Sequence, residues 1–196
     1  MTEKEKMLLG HLYYAGDKEL CDDRKMARNI ISAYNNSDNS EEERTRLLME
    51  LVGRCGKNVW IEPTFRCDYG FNIKLGDNFY ANYDCIMLDV CEIVIGDNVF
   101  FGPRVMLFTA GHPVDAEIRN MQLEYGKKII IGNNVWIGGN TVINPGVNIG
   151  DNTVIGSGSV VTKDIPSGVV AAGNPCRVIR KITEEDKKCW VEKIQC

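Results

Sequence analysis

The amino-acid sequence predicts a mainly β fold: a parallel β-helix of hexapeptide repeats, with a short N-terminal helical cap and one excursion loop. Three observations carry this prediction. An aliphatic residue returns at every sixth position through the second half of the chain. Seventeen of the 19 glycines lie at position 53 or later. The first 57 residues have instead the three- and four-residue apolar spacing of helices.

Residues 1–57 form the expected cap. Met7, Leu8 and Leu12, then Met26, Ile30 and Tyr34, recur at helical steps. Ser40 and Glu43 make a capping-box pattern ahead of Leu47, Leu48, Leu51 and Val52. Asn35-Asn36-Ser37-Asp38-Asn39 is the turn before that helix. The cap carries no chemical motif of its own, and covering one end of the next part is its simplest role.

Residues 58–182 form the expected β-helix. An interior glycine costs a helix roughly 1 kcal/mol against alanine, so this glycine-rich part is not helical. From Ile131 the register runs through Ile137, Ile143, Ile149, Ile155 and Val161, in blocks such as IGNNVW, IGGNTV and IGDNTV. Upstream, Ile95, Phe101 and Leu107 keep the same step, and Leu75 opens LGDNFY twenty residues before Ile95. Ile95 and Ile131 are 36 residues apart, a whole number of hexads, so the loop 111–128 leaves the repeat and returns in phase. A six-residue period is too short for a hairpin meander and fits no helix. It suits short strands and turns, about three hexads to a triangular coil, with the aliphatic residues stacked inside. Residues 183–196 are a C-terminal helical tail.

Composition narrows the chemistry. At 196 residues, 44% hydrophobic and 26% charged, the chain has the balance of a soluble globular protein. No apolar run approaches 18 residues, and MTEKEKMLLGHLYYAG lacks the apolar core of a secretion signal, so the expected compartment is the cytoplasm, with no membrane contact. A net charge of −4 argues against nucleic acid as a partner. None of the eight cysteines forms a C-x-x-C pair, and they are expected as free, mostly buried thiols. The two histidines, His11 and His112, are too few for a multi-histidine metal site, and no metal is expected.

With the repeat in place, the chain resembles the hexapeptide-repeat acyltransferases, whose β-helix is left-handed. It is most similar to the maltose/galactoside O-acetyltransferase group. The stretches that carry the resemblance are 61–91, TAGHPVD (109–115), 129–166 and AAGNPCRVIRKI (171–182), with the helical N-terminus similar to that group's cap. The resemblance implies a homotrimer with sites between neighbouring β-helices. It implies acetyl-CoA as donor and a sugar hydroxyl as acceptor. Another hydroxyl acceptor, such as serine or an antibiotic, and a scaffold without turnover are the alternatives. A γ-type carbonic anhydrase would need three histidines on one metal, and covalent Ser–His catalysis would need a G-x-S-x-G elbow that is absent.

His112 lies between Gly111 and Pro113, where the repeat breaks into the loop. An imidazole titrates near neutrality and suits a general base, although a packing histidine would look alike locally. In the family the matching histidine is the base. His11 is expected to face solvent from the N-terminal helix. Asp68, Asn82, Asp89 and Glu124 are acceptor-site candidates, since carboxylates and amides bind sugar hydroxyls. By resemblance Asn82 also supports the reaction centre, Asp68 and Asp89 fall at or near acceptor-binding positions, and Glu124 lies near one in the loop. The family's N-terminal acceptor aspartate aligns to Ala15, with Asp17 nearby. For the donor, Trp136 is expected to point outward as a wall. By resemblance Gly139, Ser157, Thr162, Lys163, Arg177 and Arg180 match positions that contact CoA.

Overall fold

The computed structural model describes residues 1–36 and 40–194. The cap comprises α1 (Glu3–Leu8), a short strand β1 (Tyr13–Tyr14), α2 (Lys18–Tyr34) and α3 (Glu41–Leu51). Each helix begins where a side chain satisfies a backbone N–H that has no partner within the helix. Thr2 and Glu5 cap α1 reciprocally, Asp17 accepts from Glu19 N on α2, and Ser40 accepts from Glu43 N on α3. In α3 the Glu43 carboxylate pairs with Arg46, one turn on. The buried stripe of α2 is Leu20, Ala27, Ile31 and Tyr34. Met26, expected on that face, is exposed, since one residue is roughly 100° of rotation. Leu8 and Leu12 are exposed too. His11 is exposed as expected, but in the turn after α1. Ser37, Asp38 and Asn39 of the expected turn lie outside the described residues.

From Trp60 the chain winds in coils. The first three strands are β2 (Trp60–Ile61), β3 (Arg66–Cys67) and β4 (Ile73–Leu75). The next coil is β5 (Tyr80–Ala81), β6 (Ile86–Leu88) and β7 (Ile93–Ile95), followed by β8 (Phe100–Phe101) and β9 (Met106–Phe108). The loop then contributes β10 (Ala110–Gly111), α4 (Ala116–Asn120) and β11 (Leu123–Gly126). Winding resumes with β12 (Ile129–Ile131), β13 (Trp136–Ile137), β14 (Val142–Ile143), β15 (Asn148–Ile149), β16 (Val154–Ile155) and β17 (Val160–Val161). The chain ends in β18 (Val169–Ala172), β19 (Arg177–Lys181) and α5 (Glu184–Ile194), the expected tail. Residues 195–196 of that tail lie outside the described residues.

Equivalent strands stack in parallel as three faces of a prism. The first face is β4, β7, β12 and β15; the second is β2, β5, β8, β13, β16 and β18; the third is β3, β6, β9, β14 and β17. The aliphatic register fills the interior, as expected. Leu75, Ile95, Ile131 and Ile149 stack on the first face, with Ile95 opposite Ile131 across the 36-residue gap. Ile137 lies over Phe101 and Ile155 on the second, and Ile143 over Leu107 and Val161 on the third. Each is buried, and each such side chain contributes about 1.5–3 kcal/mol of hydrophobic free energy. The fifth hexad positions turn inward as well. Thr141 and Ser159 are fully buried there, and their hydroxyls donate to Gly138 O and Gly156 O.

The corner between the first and second faces needs special backbone. A Cβ on Gly76 would come within 2.4 Å of Gly96 O, so only glycine permits the coils to approach there. Asn58, Asn78, Asn98, Asn134 and Asn152 have φ of 54–57° and form a ladder. Each side-chain amide donates to the next along the axis, at 3.0, 2.9, 3.2 and 3.1 Å. Asparagine tolerates the left-handed conformation better than other residues with a side chain, and the ladder satisfies its amide as well. Among the described cysteines all seven are free thiols, but only Cys67, Cys85 and Cys176 are buried. Cys21 and Cys189 lie on helices outside the prism and are exposed, fewer buried thiols than expected. No helix among the described residues is long and apolar enough to cross a membrane.

Candidate active site

The excursion loop leaves the prism as a strand. Thr109 anchors the exit, donating from its hydroxyl to Leu88 O at 2.6 Å and accepting from Cys91 N at 3.0 Å. β10 then pairs antiparallel with β11, and β11 pairs antiparallel with β1 of the cap. His112 follows β10 directly, so a three-stranded sheet joining coil, loop and cap fixes its position. Its side chain is 53% exposed, and its Nε2 lies 4.0 Å from Glu124 Oε1. The other Glu124 oxygen accepts a 2.9 Å hydrogen bond from the Tyr13 hydroxyl.

Glu124 also lines a cavity of about 250 Å³ with Tyr13, Ala15, Arg24, Arg28, Asp68, Tyr69 and Val90. The cavity is strongly polar for its size. Arg24 donates to the Tyr69 hydroxyl at 2.5 Å and to Ala15 O at 2.6 Å. Burial raises the Asp68 carboxyl above its usual range, against the pull of Arg24 and Arg28. Burial likewise pushes the Tyr69 phenol up to about 12, so it stays protonated. A cavity with carboxylates, phenols and guanidinium groups on its walls can hold a ligand rich in hydroxyls.

Asp89 lies beneath this cavity and has no exposed surface. Its Oδ1 accepts from Asp68 N and Tyr69 N, both at 2.9 Å, which fixes the turn that presents those two side chains. Asp17 caps α2, whereas Ala15 lines the cavity.

The remaining candidates separate by edge of the prism. Asp68, Asp89 and Thr162-Lys163 directly follow strands of the third face, and the loop that carries His112 leaves the prism after β9 at the same edge, between third and first faces. Asn82, Gly139 and Ser157 follow strands of the second face and share the edge between second and third. That edge is closely stacked: a Cβ on Gly102 would meet Gly139 N at 2.5 Å, and one on Gly138 would meet Ser157 N at 2.5 Å. The two edges are separated by one face, roughly 15–20 Å for a three-residue strand and its turn. The chain therefore sets Glu124 beside His112 and in one cavity with Asp68, but leaves Asn82, whose Oδ1 accepts from Tyr83 N, on another edge.

Trp136 points outward from the second face and is 55% exposed, as expected. Thr162 and Lys163 are exposed at the far end of the coil. Arg177 and Arg180 lie on β19, an exposed strand antiparallel to β18. Arg180 grips Asp186 through two hydrogen bonds of 2.8 and 2.6 Å, which ties α5 to that strand. Sequence reasoning missed Tyr13, Arg24, Arg28 and Tyr69. Three of them lie in the cap, and Tyr13 meets its partner across 111 residues, so no local pattern announces them.

Comparison with known proteins places this arrangement. Residues 6–56 match the maltose acetyltransferase hexapeptide capping motif, and residues 128–163 match the bacterial transferase hexapeptide of six repeats. Galactoside O-acetyltransferase of Escherichia coli K12 is 47% identical over 188 residues, covering 95% of this chain and 93% of that protein. The crystal structure of a maltose O-acetyltransferase from Clostridium difficile 630 superposes with a TM-score of 0.92 at 55% identity, over 93% of this chain and 98% of that one. A galactoside acetyltransferase in complex with coenzyme A gives 0.92 at 47% identity, over 95% of this chain and 94% of that one. With its capping motif and its six repeats matched, and with these relatives covering more than nine-tenths of it, the chain belongs to the hexapeptide-repeat acetyltransferases, in the maltose/galactoside O-acetyltransferase group.

Proposed function

We propose that this protein transfers the acetyl group of acetyl-CoA to a hydroxyl of a sugar by direct attack, with His112 as general base. The observation that carries this reading is the placement of a half-exposed imidazole beside Glu124, a carboxylate that with Asp68 lines a polar cavity. The CoA complex of a relative with 47% identity supports the donor.

In the proposed step the acceptor oxygen attacks the thioester carbonyl carbon as its proton passes to the His112 imidazole. The C–O bond forms and the carbonyl becomes a tetrahedral oxyanion. The C–S bond then breaks, the carbonyl re-forms, and the imidazolium returns its proton to the departing thiolate, giving the acetyl ester and free CoA thiol. Asn82 and backbone amides stabilise the developing oxyanion in this reading. Asn82 and His112 occupy different edges of one chain, so the complete site needs a second copy beside the first. A homotrimer with sites between neighbours meets that requirement. Trp136, Gly139, Ser157, Thr162, Lys163, Arg177 and Arg180 are proposed as the donor groove.

The test is thiol release from acetyl-CoA against glucose, maltose, a galactoside, serine and an aminoglycoside. Release with the sugars alone supports the reading. Release with serine or the antibiotic alone reassigns the acceptor, and none at all leaves a scaffold. Equilibrium sedimentation at the trimer mass is expected; a monomer with full activity refutes the shared site.

A further inference from the structure

We infer that Tyr13 is a positioning residue for the transfer: its buried hydroxyl fixes the Glu124 carboxylate beside His112 and makes the N-terminal cap a working part of the site. The kinetic half of this inference rests on the reaction proposed above. Tyr13 is fully buried, and its hydroxyl donates to Glu124 Oε2 at 2.9 Å. The backbone reinforces the side chains, because β1 and β11 pair with Tyr13 directly opposite Glu124. Two independent attachments therefore hold the same pair of residues.

The consequence lies at the other carboxylate oxygen. Glu124 Oε1 stops 4.0 Å from His112 Nε2, too far for a hydrogen bond between them. That gap leaves each group free to engage a hydroxyl of a bound acceptor. An unanchored glutamate has three rotatable bonds and would spread its charge over several positions. Burial, followed by the charge of Glu124, pushes the Tyr13 phenol well above its usual range, so it remains a donor at all working pH values. Other charged or titratable groups face the same cavity: Arg24 and Arg28 from α2, and Asp68 and Tyr69 from the first coil. Among the described residues, Tyr13 is the one whose side chain donates a hydrogen bond to Glu124.

Tyr13→Phe removes this one hydroxyl and keeps the ring that fills the core. With only two histidines in the chain, ¹³C-histidine labelling gives two imidazole signals, assigned by His112→Gln. The His112 signal is expected to move in Tyr13→Phe, and to stay still when the same change is made in a Glu124→Leu background. Acceptor kcat/KM is expected to fall about tenfold or more, as for a lost hydrogen bond to a charged group, with the KM for acetyl-CoA unchanged. An unmoved His112 signal, an equal displacement in the Glu124→Leu background, or an unchanged acceptor kcat/KM in the active enzyme overturns the inference. A wild-type protein that releases no thiol refutes the proposed reaction, and the imidazole signals then decide the positioning role alone.

Discussion

Asp89→Asn should invert its effect on stability between acid and neutral pH. Asp89 is fully buried, Oδ1 is committed to two backbone N–H groups, and Oδ2 is buried without a partner. Burial above all lifts its carboxyl from an ordinary 3.8 to about 7. The folded chain thus holds a proton on Asp89 over a range where the unfolded chain has lost it. The stability this contributes is fully present below about pH 4 and is lost as the pH rises through 7. A gap of about 3 units is about 4 kcal/mol at 1.36 kcal/mol per unit. Asparagine keeps the acceptor at Oδ1 and carries no charge, but it puts two N–H donors where the protonated carboxyl puts one O–H, at a position without a partner, which costs about 1–3 kcal/mol. The variant should therefore be about 1–3 kcal/mol less stable than wild type near pH 3.5 and about 1–3 kcal/mol more stable at pH 8. Urea unfolding of both proteins at one concentration, over about pH 3.5–8, gives the difference curve, in which groups common to both cancel. A flat curve, or one in which wild type gains on the variant as the pH rises, refutes a buried, proton-holding Asp89.

Three further outcomes follow from the same geometry. His112→Ala should lower kcat by about 100-fold or more with little change in acetyl-CoA affinity, measured by thiol release and by calorimetric titration of the donor. Arg180→Ala should chiefly raise the KM for acetyl-CoA; an unchanged KM would restrict Arg180 to its tie with Asp186. Asn98→Ala should cost about 2–3 kcal/mol in chemical denaturation, since alanine loses the amide ladder and is strained at φ 55°. Asn98→Gly should cost about 1 kcal/mol less, because glycine accepts that φ and loses only the ladder; equal losses would place the whole effect in the hydrogen bonds.

The coils were legible because a six-residue period states the fact that matters most for such a fold. It says which residue turns inward, and Ile95 opposite Ile131 bears this out across 36 residues. The asparagine ladder was equally present in the sequence, at the fourth place of IGDN and IGNN, but it passes unnoticed when only apolar positions are counted. The cap was legible as helices and not as chemistry. Tyr13 looks like another apolar position, and only the fold shows that its strand lies against β11. Arg24, two residues before the exposed Met26, looks like a solvated charge, yet it bonds a phenol and a carbonyl in the cavity wall.

The repeat itself explains why a single chain leaves the candidate residues apart. Three hexads close a coil, so residues 18 apart share an edge, as Gly139 and Ser157 do. His112 follows β10, where the excursion loop has left the coil at the far end of the next face, so the width of a rigid sheet separates it from the edge that carries Asn82. The interior columns fix that sheet, and shifting one strand by a single residue would turn its buried aliphatic outward. If Asn82 and His112 act on one thioester, the edges must come from two copies, and assembly then follows from the period of the sequence. A mixture of inactive Asn82→Ala and His112→Ala chains tests this without reference to mass. Unfolded together and refolded, the two should regain activity, because some mixed interfaces join an intact Asn82 edge to an intact His112 edge. A mixture that stays inactive, from variants that each refold, would place both residues' work within one chain and refute the shared site.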